Sequence, residues 1–398
     1  MPGVADVVRR AGAAYLARYG GANGAAMPPS HRRALHDLVA CRTAELGGHV
    51  TQCEACGAEH YVYHSCRNRS CPTCHGAATR AWSLAREAEL LPVPYFHVVF
   101  TLPAELRAVV RSHQRLLLGL LMSTAAESLQ ALAADPHYVG GTLGILAVLH
   151  TWTRALVYHP HVHCLVPGGG IAPDRSPDRS PDGVGWRAAR GNFLVPVRAL
   201  SVHFRARFLA RLAAVLPGVV VPPAVWRKAW VVYCKPTVQG SATVLHYLAR
   251  YVHRVAITDR RILAVDADHV TFRYRGELRS EQRQGWRTMK LPAAEFLRRF
   301  LQHVLPRGFH KVRYYGFWRP SAAPLRARLR EQLSALTPFE PQSSARTPAA
   351  GDDSLESQAH RSLRRRCPDC ASGELRIIRR LPRARSRACL VSHSAIPP

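Results

Sequence analysis

The chain has 398 residues, a length that suggests two or three folding units at about 150 residues each. Hydrophobic residues make up 47% and charged residues 20%, a globular composition that excludes wholesale disorder. The charge is the outlier: 55 Lys+Arg against 26 Asp+Glu leaves a formal +29. So many unpaired cations imply a polyanionic partner, nucleic acid before an anionic membrane surface.

The longest apolar patch, Leu116 to Met122, falls short of the roughly 18–20 residues that cross a bilayer. Met1 to Arg10 shows no charged stretch followed by an apolar one, as an export signal would. The expectation is a cytoplasmic protein with no membrane partner. In that reducing compartment the eleven cysteines favour metal ligation over disulfides.

Taken in chain order, residues 1–30 read as an amphipathic helical leader. Six of the eleven cysteines then fall between Cys41 and Cys74, which makes 31–80 a candidate metal module. Helix-favouring Ala77 to Leu91 follows and is ended by Pro92 and Pro94. Tyr95 to Leu102 reads as a buried strand, Ala104 to Ala133 as a helix, and Gly144 to Trp152 and His161 to Val166 as two further strands. The Gly/Pro/Asp-rich stretch from Pro167 to Phe193 reads as an exposed loop. Beyond it come a helix (Val202 to Leu216), a strand (Trp230 to Lys235) and a helix (Ala242 to Val252). A strand pair follows around Ala267-Asp268-His269, then helices from Glu295 to Val304 and Leu325 to Leu336. The tail from Arg361 to Arg387 holds ten arginines against Asp369 and Glu374. Alternating strands and helices between about 95 and 275 predict an α/β or α+β core around one sheet.

Two knuckles, Cys53-x2-Cys56 and Cys71-x2-Cys74, are 14 residues apart. Each can bring two thiolates to one ion, so together they predict a closed structural zinc site. Cys41, His49, His64 and Cys66 lie beside them, which leaves ligand exchange or a second ion open. The module also carries Arg67 and Arg69 as candidate DNA contacts. Cys367-Pro-Asp-Cys370 reads as half a knuckle, either sharing an ion with another element or carrying none.

In a strand, the period of two puts His159, His161 and His163 on one face, a pocket for a divalent metal. Farther on, Tyr247 and Tyr251 are four apart and would share a helix face, with Arg250 and Arg254 in a neighbouring row. A tyrosine nucleophile, with its pKa of about 10, needs such a metal and a nearby cation. Lys235 ends a strand just before and can contact phosphate. Arg313, set among Tyr315, Phe317 and Trp318, suits a strand-stacking surface.

Together, the His161-Val162-His163 strand and the Tyr-x3-Tyr helix resemble the two-tyrosine HUH endonucleases. The wider run is closer still to the insertion-sequence-91-type transposases. It includes SCRNRSCPTC (Ser65 to Cys74), YFHVVFTLP (Tyr95 to Pro103), HPHVHCLVPGGG (His159 to Gly170), WVVYCKP (Trp230 to Pro236), YLARYVHRVAI (Tyr247 to Ile257) and RYYGFW (Arg313 to Trp318). The resemblance implies a zinc-binding DNA-binding module over 31–80 and a catalytic domain over 90–320 with a central antiparallel sheet flanked by helices. A helix, linker and Arg-rich tail would occupy 321–398. It further implies Tyr247 or Tyr251 as nucleophile, and Mg²⁺ or Mn²⁺ on His161 and His163, with His159 or His97 as third ligand. Single-stranded or hairpin DNA ends would be the substrate in a bacterial, nucleoid-associated setting. A plasmid-type replication initiator with the same chemistry, and an inactive zinc-dependent DNA-binding protein, are the alternatives.

Overall fold

The computed structural model describes residues 2–20, 27–74, 81–82, 84–173, 185–237, 256–276, 285–336 and 366–384. The chain divides into two compact units: Met1–Gly3 with His75–Phe339, and Val4–Cys74 with Glu340–Pro398.

The larger unit is built on a five-stranded antiparallel sheet of β3 (Tyr95–Thr101), β4 (Gly144–Trp152), β5 (Tyr158–Pro167), β8 (Val232–Pro236) and β12 (Val312–Gly316), in the order β12-β4-β5-β3-β8. Apolar content grades with position. β4 is buried along almost its whole length, whereas edge strand β8 alternates half-buried Val232 and Cys234 with exposed Tyr233 and Lys235. One face carries Phe96, Val98, Phe100, Ala147, Leu149, Val162 and Cys164. It packs against the helices Gln114–Ala133 and Val197–Val215. An aromatic knot anchors the second helix: the Phe204 ring lies 4.9 Å from Phe100 and 5.4 Å from Trp230, each pair worth about 0.5–1.5 kcal/mol beyond its buried area.

Helix Gln114–Ala133 is long and apolar enough to cross a bilayer by length and composition alone, although polar residues interrupt its apolar run. Its apolar residues Leu117, Leu118, Leu121, Ala125 and Leu129 are instead buried in the core. The single helix expected from Ala104 is broken. A 3-10 turn (Ala104–Leu106) and a short helix (Arg107–Ser112) precede it, and His113 at φ −117°, ψ 43° redirects the chain so that Leu106, Val110 and Leu117 all reach the core.

Part of the expected loop after Pro167 is ordered: β6 (Gly169–Ile171) pairs with β7 (Trp186–Ala188). A Cβ on Gly169 would lie 2.3 Å from the Trp186 ring, so only glycine fits this close approach. A separate sheet, β11-β10-β9, joins β9 (Ile262–Val265), β10 (His269–Arg275) and the unforeseen β11 (Trp286–Pro292). The helix Ala293–Leu301 packs on it through Phe296 and Phe272, 5.7 Å apart.

The smaller unit holds the helices Val4–Tyr19 and Pro29–Ala40 and a three-stranded sheet. Its strands are β1 (Gly48–Cys53), β2 (Glu59–Tyr63) and β13 (Leu375–Leu381), with β1 in the centre. The arginine-rich tail was expected as an appendage beyond the linker. Instead β13 pairs with β1 along its whole length, from Gly48↔Leu381 to Cys53↔Leu375.

Phe204 is fully buried, so Phe204→Ala should destabilise the larger unit by about 3–5 kcal/mol, read as a lower urea midpoint. A change below about 1 kcal/mol would show that the aromatic knot is not a structural anchor.

Candidate functional site

The face of the five-stranded sheet opposite the two long helices carries the histidines. Alternation along β5 puts His159, His161 and His163 on it, as the sequence suggested. Register decides what they meet. His150 of β4 stands directly opposite His161, and Val148 opposite His163. The ring of His150 lies 4.5 Å from that of His163 and 5.4 Å from that of His161. One ring nitrogen from each of His150, His161 and His163 falls within 4.8 Å of the others.

His161 Nδ1 lies 2.7 Å from the His159 carbonyl, which can only accept, so Nδ1 bears the proton and Nε2 keeps a lone pair. Burial pushes the His161 pKa down to about 4, so the ring is neutral at pH 7. Both conditions suit metal ligation.

His159 does not join this group. An Arg107 guanidinium nitrogen, which can only donate, sits 2.9 Å from its Nδ1 and takes that lone pair. A fixed cation there also opposes a second positive ion. His97 of β3 stands one step out: its Nε2 is 2.9 Å from His163 Nδ1, and the two rings stack at 5.1 Å, which fixes the orientation of His163. The third imidazole is therefore His150, which the sequence reading passed over. Its signal was a lone histidine near the end of the apolar run GILAVLH, visible only once β4 and β5 are set in register.

Beside this cluster, β8 presents Lys235 opposite His97, and Tyr233 in edge contact with the His97 ring at 5.9 Å. The Lys235 ammonium lies 5.6 Å from the centre of the Tyr233 ring. Both side chains are exposed, giving a cation and a stacking surface at the rim. Tyr233 was not singled out from the sequence. Arg313 pairs with Ala147 on the helix-covered side of the sheet, where its guanidinium bonds the Gly119 carbonyl and covers the Phe309 ring. Tyr247, Tyr251, Arg250 and Arg254 lie outside the described residues.

In the smaller unit, the thiols sort differently from the sequence expectation. Cys71 and Cys74 group with Cys41 and Cys66, whereas Cys53 and Cys56 group with Cys367 and Cys370. In the first group, the Cys41–Cys74 and Cys66–Cys74 sulfurs are 3.5 Å apart and Cys71–Cys41 3.6 Å. The reason for the split is the β1–β2 hairpin. Cys53 ends β1 at the hairpin tip, while Cys66 follows β2 at the far end, near Tyr63↔Gly48. The five residue steps from Cys53 to Gly48 hold those ends about 17 Å apart at roughly 3.4 Å per residue, too far for one ion to bind at both. Arg67 (φ +53°) directly follows Cys66, and Arg67 and Arg69 are both exposed. Arg67 lines a groove of ≈ 830 Å³ with Arg42, Tyr61, Tyr63, His64 and Arg383.

Comparison with known proteins bears on both units. Residues 7–102 match the family model "Transposase zinc-binding domain", and residues 144–324 match "Putative transposase". Over 402 residues the chain is 40% identical to a Sinorhizobium fredii protein named "Putative transposase y4qJ", covering 94% of each. The chain belongs to the insertion-sequence-91-type transposases. The transposase for insertion sequence element IS801 from Pseudomonas savastanoi pv. phaseolicola is 29% identical over 301 residues, 70% of this chain and 68% of the relative. No solved structure matches the chain.

DNA is thus the partner of this transposase, in keeping with its +29 charge. The zinc-binding match covers six of the cysteines, and the cluster of Cys41, Cys66, Cys71 and Cys74 fits zinc, being four thiolate donors with no open position for water. Chelation should therefore release zinc and collapse the smaller unit, while the unfolding midpoint of the larger unit stays in place. Unchanged amide-exchange protection of β1 and β2 after complete chelation would contradict a structural role for the metal.

Proposed function

We propose that this transposase cuts and rejoins single-stranded DNA at the ends of its element, with Tyr247 or Tyr251 as nucleophile. His150, His161 and His163 would hold a divalent ion beside the scissile phosphate. The observation that carries the reading is the convergence of three imidazole nitrogens on the open face of the sheet, next to exposed Lys235 and Tyr233.

In the cutting step, a tyrosine phenolic oxygen attacks phosphorus and the bond to the 3′ oxygen breaks. The strand 3′ of the break stays on the enzyme through its 5′ phosphate, as a 5′-phosphotyrosine. The phenol's proton passes to solvent, and the departing electron pair leaves on the 3′ oxygen, which Lys235 would protonate. When bound, the ion supplies Lewis-acid charge to a non-bridging phosphate oxygen. Rejoining reverses the sequence: a 3′-OH attacks the phosphotyrosine, expels the phenolate and restores the phosphodiester. One diester is exchanged for another at each step, so no outside energy source is required. A second tyrosine allows a second strand to be taken before the first is released, as rolling-circle transposition demands. Tyr233 offers a ring for an unpaired base to stack on. The reaction belongs in the bacterial compartment that holds the DNA, the cytoplasm, with the enzyme nucleoid-associated.

An all-nitrogen donor set suits Mn²⁺ better than Mg²⁺, which prefers oxygen. Denaturing gels of protein mixed with labelled single-stranded terminus DNA test the reading. Expected is a covalent adduct that forms at lower Mn²⁺ than Mg²⁺ concentration and disappears in Tyr247→Phe/Tyr251→Phe. His150→Ala should slow adduct formation by about 10²-fold or more, the loss of several kcal/mol of charge stabilisation. His159→Ala should slow it less than about threefold, since Arg107 occupies that ring. An adduct that survives the double tyrosine variant sinks the nucleophile assignment, and equal effects of His150→Ala and His159→Ala sink the ligand set.

A further inference from the structure

The tail pair Cys367–Cys370 has no place in the zinc-binding match, which ends at residue 102. Yet its local geometry repeats that of Cys53–Cys56. In the first knuckle the Cys53 N–H donates to the Ala58 carbonyl (2.9 Å) and the Gly57 N–H to the Cys53 carbonyl (3.0 Å). In the second, the Cys367 N–H donates to the Gly373 carbonyl (2.8 Å) and the Ala371 N–H to the Cys367 carbonyl (3.0 Å). Each loop turns back through a left-handed residue just after its second cysteine, Gly57 at φ +74° and Ala371 at φ +58°. Alanine rarely adopts that conformation, so the turn is imposed by its surroundings.

Both loops aim donors at sulfur. The Ala55 and Cys56 N–H groups lie 3.4 and 3.5 Å from Cys53 Sγ, and the Gly373 N–H and Ser372 hydroxyl 3.3 and 3.4 Å from Cys370 Sγ. Donors in this number suit thiolates. The knuckles face each other at the same end of paired strands, since Cys53 is opposite Leu375. Cys53 and Cys370 sulfurs are 3.6 Å apart, Cys56 and Cys367 3.7 Å, and all four lie within 4.8 Å of one another. A tetrahedral ion with Zn–S bonds of about 2.3 Å sets its sulfurs about 3.8 Å apart. A Cβ on Gly373 would come within 2.2 Å of Cys53 Sγ, so the loops meet only because glycine stands there.

We propose that Cys53, Cys56, Cys367 and Cys370 form a second four-thiolate zinc site that ties the C-terminal strand β13 to β1. The two halves are 311 residues apart between Cys56 and Cys367. Fixing β13 also fixes exposed Arg376, Arg379 and Arg380, and brings Arg383 to the groove that holds Arg42 and Arg67. The ion therefore completes a cationic surface from the two ends of the chain.

Zinc counting by native mass spectrometry on the full chain tests this, without any reading of DNA cleavage. Expected are two ions per wild-type chain, one in Cys367→Ser/Cys370→Ser, and two again in Cys370→His, which keeps a zinc donor. The ion retained at Cys41, Cys66, Cys71 and Cys74 reports that the double variant is folded. A protease site introduced within 340–360 supplies the second arm: after cleavage, the C-terminal fragment should co-elute with the rest until a chelator is added. One ion in the wild type, two in the double variant, or a fragment that stays bound after all zinc has gone would each overturn the proposal.

Discussion

The candidate site depends on the register between β4 and β5. His150 meets His161 only because Val148 pairs with His163 and Leu146 with Leu165. A slip of one residue would turn His150 to the helix side and bring Leu149 among the imidazoles. The register is held from the other face, where Ile145, Ala147 and Leu149 interlock with Val162, Cys164 and Val166 in the core. The apolar face thus sets the geometry of the polar one.

The same logic separates what the sequence made legible from what it did not. Local pattern was enough for β4, expected and found at Gly144–Trp152, and for the alternation that puts His161 and His163 together. Pairing was not. The approach of His150, the pairing of His159 with Arg107 and the inward turn of Arg313 all follow from which residue stands opposite or beside which, and one sequence carries no direct trace of that. Arg313 shows the point most plainly: its aromatic neighbours suggested a strand-stacking surface, but Ala147 opposite it belongs to the core face.

The cysteines teach a related lesson. Spacing identified two knuckles, and the residue types identified thiolate chemistry. The choice of partner knuckle lay in the hairpin between them, whose length drives Cys53 and Cys71 to opposite ends. A pair near the other terminus was closer in space than one 14 residues away in sequence. Proximity along the chain was the misleading signal.

The central place of β1, flanked by β2 and β13, also has a temporal side. β2 follows β1 at once, whereas β13 emerges from the ribosome after more than 300 further residues, roughly 15–60 s later at 5–20 residues per second. Throughout that interval one side of β1 offers open backbone donors and acceptors, the kind of edge that recruits strands from other chains. Nascent transposase is thus exposed to mispairing from the moment β1 forms, and the hazard ends only when the chain's own β13 arrives.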